Sequence, residues 1–202
     1  ARSKADAERE LIRLSEERGL EVVNLRFGTA CGPSPRMRAD LVLNDFIWNA
    51  VIGSEIIILS DGTPLRPLID VRDMASAIHW ALEWGANDGD GKSIVVNVGK
   101  NEFNYSVLEI AEVVQSLVPG TQIKLNKNPS PDKRSYSVNF DQYESRGGEF
   151  LPKYSLETTV IDTLRIYESM EIKRLHSIDR FVRLQVINQL IDDGMLDTNL
   201  FW

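Results

Sequence analysis

The residues of this 202-residue chain best suited to chemistry are cations and amides placed where an anion could be held. Arg66 follows the turn Asp61-Gly62-Thr63-Pro64 and precedes the block PLIDVRD. Its guanidinium is a planar fork of donors that can pair with two phosphate oxygens at once. Asn44 sits near the start of a helical stretch, where an amide beside a helix N-terminus suits an anionic diphosphate. Arg134 lies in a polar, proline-containing loop, and Arg36 and Arg38 in a loop rich in Gly, Pro and Arg. Lys4 opens an amphipathic helix. The plainer reading of each cation is a solvated side chain, and of Asn44 a polar residue on a helix surface.

Other reactive types are isolated. Cys31 has no histidine placed nearby in sequence to activate it as a nucleophile, so it reads as a small residue filling a loop. His79 and His176 lie far apart, and no Cys/His spacing resembles a metal site. Asp73 reads as a helix N-cap in preference to a catalytic acid. The net charge of −7 and pI near 5.0 argue against a nucleic-acid partner, which needs a basic face. A single cysteine rules out an internal disulfide framework and fits a reducing, cytoplasmic setting. No apolar run approaches the roughly 18–20 residues of a membrane span. The chain starts at Ala1, inside a polar helical pattern, and a processed, cleaved or trimmed start is the expectation.

The elements that must position these residues alternate between helix and strand. Helical spacing covers 3–18, with Ala7, Leu11 and Leu14 on one face and Gly19 as the stop. A β-rich run follows at 20–27, then a loop at 28–38 and a helix at 41–51. Residues 55–60 and 68–71 read as short strands, 73–84 as a helix and 93–98 as a strand. A helix at 106–117 carries Ser106 and Glu109 spaced as a capping box. A short strand at 122–125, a polar loop at 126–134, a helix at 156–171 and an amphipathic tail at 178–194 complete the pattern. This alternation means an α/β fold. None of the 13 glycines forms the closely spaced loop that cradles a dinucleotide pyrophosphate.

Five blocks in order, ARSK-ADAERELI, LRFGTACGPSPRMRADLVLN, SDGTPLRPLIDVRDMASAI, VVNVG and DKRSYSVNF, resemble the extended short-chain dehydrogenases. More specifically, they resemble the NAD-dependent epimerase/dehydratase family acting on nucleotide sugars, as far as about Glu171. The resemblance implies the C-terminal part of a Rossmann-type fold with its small α/β substrate-binding domain. It divides the chain into 1–35, the last part of the dinucleotide-binding domain; 36–175, mainly substrate-binding with segments returning to the Rossmann sheet; and 176–202, a helical extension.

By the same resemblance, Lys4 matches the active-site lysine of a Tyr-x-x-Ser-Lys motif whose tyrosine is not in this sequence. That lysine binds the nicotinamide ribose of NAD or NADP and lowers the tyrosine pKa, a nearby cation favouring phenolate. Phe27 and Gly28 approach the cofactor, and Thr29 stands where the family usually has Asn. Thr29, Asn44, Arg66 and Arg134 would hold a nucleotide-diphosphate sugar. The implied partners are the missing N-terminal half and a second copy in a homodimer. Without that half, the faces of Leu11, Leu14, Val22 and Val23 would lie open to water, and the fragment is not expected to fold stably alone. The alternative is a non-catalytic nucleotide-sugar binding or assembly module.

Overall fold

The computed structural model describes residues 2–34, 37–87, 93–126, 135–169, 182–197 and 199–201. Its elements in chain order are α1 (Arg2–Arg18), β1 (Val22–Phe27), β2 (Thr29–Cys31), α2 (Val42–Gly53), β3 (Glu55–Ile58), β4 (Leu65–Asp70), α3 (Val71–Asn87) and β5 (Ser93–Val98). They continue with β6 (Asn104–Ser106), α4 (Val107–Leu117), β7 (Gln122–Leu125), α5 (Asp141–Glu144), α6 (Leu156–Ser169) and α7 (Arg183–Asp192). Strands joined by helices, with parallel pairing in both β1–β5 and β3–β7, make this an α/β fold.

Two compact units form. The first takes Ala1–Ala30, Leu65–Tyr105 and Ser135–Tyr154. Its β1 pairs in parallel with β5, in register from Val22↔Ser93 to Phe27↔Val98. Side chains alternate across a strand, so Val23, Leu25 and Phe27 share one face with Ile94, Val96 and Val98. α3 lays Ala77, Trp80 and Trp84 on that face, spaced as one stripe of a helix. Tyr143 closes this core edge-on to Trp80, with ring centroids 5.2 Å apart. Both polar tips are satisfied, Trp80 Nε1 donating to Arg146 O at 3.2 Å and Tyr143 OH to Phe150 O at 2.8 Å. Burial pushes the Tyr143 phenol up to about 12. β4 lies between β2 and β6 in a three-stranded sheet.

α1 contacts β1, and Glu8 pairs through both carboxylate oxygens with Arg26. Of the side chains expected to lie open, Leu11 is exposed, Leu14 and Val23 are half-buried, and Val22 is buried. The exposure therefore falls on the helix more than on the strand.

The second unit takes Cys31–Pro64, Ser106–Arg134 and Ser155–Trp202. α2, α4 and α6 pack on one another, and β3 and β7 pack against α2 and α4. α4 buries Val107, Ile110, Ala111 and Val114, one face of a helix. Its capping box is present: Glu109 N–H donates to Ser106 Oγ at 3.1 Å, and Ser106 N–H to Glu109 Oε2 at 2.7 Å. Among the described residues, no helix is long and apolar enough to cross a membrane.

Candidate functional site

In the first unit, the turn between β1 and β2 brings several of the expected residues to β4. A Cβ placed on Gly28 would stand 2.9 Å from Pro67 O, so only glycine fits without a shift of the backbone. That close crossing sets Phe27 and Thr29 on either side of the point where the chain passes Pro67. Phe27 packs into the core, while Thr29 opens β2, the neighbour of β4.

Arg66 is the second residue of β4 and half-buried, with Pro67 to Asp70 buried after it. Its Nη1 donates to Leu65 O at 2.7 Å. Lys4, by contrast, is exposed on the first turn of α1.

At the end of β4 the structure shows a cluster that spacing did not indicate. The wholly buried Asp70 carboxylate accepts from Arg72 Nε at 2.9 Å and Nη2 at 2.8 Å. The Arg72 guanidinium lies 3.6 Å from the centroid of the Tyr154 ring. Asp73 is not the N-cap expected of it, because α3 begins two residues earlier, at Val71. Its carboxylate instead accepts from Lys153 N–H at 3.0 Å and Tyr154 N–H at 3.2 Å. Burial raises the Asp73 pKa and those two N–H groups oppose the shift. This corner pins residues 153–154 to the start of α3.

In the second unit, Asn44 is 3% exposed in the first turn of α2. Its Nδ2 donates to Arg38 O at 3.0 Å, while Oδ1 is buried with no partner among the described residues. The unmet atom is therefore an acceptor, which calls for a donor such as a hydroxyl. To donate to a phosphate, the amide would have to turn over and release Arg38 O. Arg38 forms a two-point pair with Asp40 at 2.8 and 2.5 Å, so its charge is already matched. Cys31 is buried. Arg36 and Arg134 lie outside the described residues, as does most of the loop at 126–134.

For a dinucleotide, Lys4 is an exposed cation with no hydrogen-bond partner among the described residues to orient it. The glycine at hand, Gly28, is closed over by Pro67 and leaves no cradle for a pyrophosphate.

Comparisons with known proteins agree with the α/β fold. Residues 1–99 match the NAD dependent epimerase/dehydratase family. UDP-glucuronic acid decarboxylase 5 of Arabidopsis thaliana is 28% identical over 119 residues, 58% of this chain and 33% of that protein. The solved structure of MoeE5 in complex with UDP-glucuronic acid and NAD superposes with a TM-score of 0.65 at 26% identity, covering 81% of this chain and 53% of its own. A dTDP-glucose 4,6-dehydratase of Bacillus anthracis, solved in complex with NAD, shares the fold at 23% identity and a TM-score of 0.66, covering 84% and 52%. The chain thus spans about half the length of these solved structures and a third of the curated relative. The five blocks in order, the α/β fold and these matches together place residues 1–99 of the chain in the NAD-dependent epimerase/dehydratase family.

Proposed function

We propose that this chain is the nucleotide-sugar-binding side of an NAD(P)-dependent epimerase, dehydratase or decarboxylase. The observation that carries the reading is the crossing of Gly28 under Pro67, which brings Thr29 and Arg66 to one sheet. Arg66 would grip the substrate diphosphate, Thr29 would hydrogen-bond the sugar or nicotinamide, and Arg134 would add a second phosphate or ribose contact. Asn44, in the second unit, would offer its carbonyl oxygen, unmet among the described residues, to a ligand hydroxyl. A UDP-linked hexose or hexuronic acid is the substrate class, in line with the relatives' names.

Bound NAD(P) would supply hydride exchange at a sugar carbon. Lys4 would hold the nicotinamide ribose and favour the phenolate of a tyrosine one helical turn earlier, outside this sequence. That tyrosine and the glycine loop would come from an N-terminal half. The edge of β1 supports this: among the described residues β1 pairs with β5 alone, whereas parallel strands ordinarily sit in sheets of several, covered on both faces. A further strand laid on β1 would continue the sheet. α1, which buries Ser15 alone, is the surface proposed for a homodimer. The setting is cytoplasmic.

The test is a calorimetric titration with UDP of the wild type and of Arg66→Ala. Saturable binding weakened at least about tenfold by the substitution is expected, the scale of a lost hydrogen bond to a charged group. Binding that ignores Arg66 would overturn the assignment. A second reading is a binding or assembly module without redox chemistry. Co-expression with a segment supplying the tyrosine and glycine loop separates the two: NADH formation with a UDP-sugar supports the enzyme, and its absence supports the module.

A further inference from the structure

Among the described residues, the stretch at 135–140 has no strand partner of its own, yet side chains from β5 and the segment after it hold it at Val138, Asn139 and Phe140. Asn104 brackets the Val138 peptide, its Nδ2 donating to Val138 O at 3.0 Å and its Oδ1 accepting from Val138 N–H at 2.8 Å. Phe140 N–H donates to Asn101 Oδ1 at 2.9 Å, and Asn97 Nδ2 donates to Asn139 O at 3.3 Å. The Phe140 ring is fully buried over Gly99, where a Cβ would come within 2.6 Å of it. Asn101 is anchored in turn, its N–H donating to Glu144 Oε1 at 2.7 Å and its Nδ2 to Asp141 Oδ1 at 2.7 Å.

The near end of this clamped stretch reaches β4. Leu65 N–H donates to Ser135 Oγ at 3.1 Å, while Leu65 O accepts from Arg66 Nη1 at 2.7 Å. One residue is thus held at its N–H by Ser135 and lends its carbonyl to the Arg66 guanidinium. Leu65 is the first residue of its strand, where the ladder would otherwise leave its N–H to water.

We propose that Ser135 is a positioning residue for Arg66: it fixes the Leu65 backbone at its N–H, and the Leu65 carbonyl, on the next peptide along, sets the direction of the guanidinium. Orienting a long side chain before the ligand arrives removes an ordering cost from binding. The assignment rests on the reading of Arg66 as the phosphate-gripping residue and extends it to how that residue is aimed.

The experiment is a double-mutant cycle on the full chain, with UDP as the probe in calorimetry and a melting curve for each variant. Ser135→Ala is expected to weaken UDP binding by about three- to tenfold, the range of one ordinary hydrogen bond. The melting temperature should stay near that of the wild type, because water can reach the freed N–H. Ser135→Thr, which keeps the hydroxyl, is expected to restore the affinity. In an Arg66→Ala background, Ser135→Ala should have no further effect, since a residue acting through Arg66 has nothing left to aim. Wild-type affinity in Ser135→Ala beside weakened binding in Arg66→Ala would overturn this inference and leave the functional reading standing. An undiminished Ser135→Ala loss in the Arg66→Ala background would overturn it too, showing an independent action. If Arg66→Ala itself binds UDP as the wild type does, the functional reading falls and this inference with it.

Discussion

Helices α1 and α2 each carry a residue proposed to touch a ligand, yet they sit in opposite settings. α1 has 17 residues and buries only Ser15; α2 has 12 and buries six, Leu43, Asn44, Phe46, Ile47, Trp48 and Ala50. Helix stability in a folded protein comes mostly from packing an apolar face. α2 has that face covered within its own unit, so Asn44 is fixed by its surroundings. α1 is laced together by exposed ion pairs, Arg13 with Glu10 and Glu17 and Arg9 with Asp6, and Lys4 stands free in water on its first turn. Packing thus fixes Asn44 in place, while Lys4 sits on a helix that buries almost nothing.

Substitutions can break or sharpen that contrast. The largest effect should come from α2: Ile47→Ala empties a fully buried position and is expected to cost about 2–5 kcal/mol in denaturant unfolding. The next is the α4 cap. Ser106→Ala should cost about 1 kcal/mol by the same measurement. Glu109 adds a pH dependence, because the Ser106 N–H and hydroxyl hold its carboxylate below the usual range. Its stabilisation is full above the ordinary glutamate pKa and is lost as pH falls through the lowered folded value, so the gap between Ser106→Ala and wild type should narrow in acid.

On α1, the half-exposed Leu11 should tolerate Leu11→Ala at under about 1 kcal/mol, a fraction of the full burial value. A cost as large as that of Ile47→Ala would mean that α1 is covered after all, as in a dimer. Glu8→Gln should change stability least, about 0–1 kcal/mol, because Arg26 is largely exposed. Arg26 keeps the Glu8 carboxylate lowered, so this small contribution too is present near neutrality and fades in acid.

Much of the fold was legible because the periodic signals are long. The expected helix at 106–117 and the strand at 93–98 match α4 and β5 to within a residue, and the Ser106/Glu109 spacing found a real cap. β4 was expected at 68–71 and spans Leu65–Asp70, because tertiary pairing carries the strand back through Arg66 and Pro67, residues of low strand preference. The loop expected at 28–38 hides β2, and β6 was absent from the reading, because three residues are too few to show alternation. Asp73 looked like a cap because Asp before an apolar stretch is a good signal, but the helix starts earlier and the carboxylate serves distant backbone N–H groups. The asparagine clamp has no sequence signature at all. Asn104 and Val138 are 34 positions apart, and only folding brings such an amide to such a peptide.

The most direct test is a pair of calorimetric titrations of this chain, one with UDP and one with NAD. On the proposed reading, the chain should bind UDP saturably and give no saturable heat with NAD. Saturable NAD binding without UDP binding would contradict the account, and would place the chain's recognition on the side where its own residues offer only Lys4.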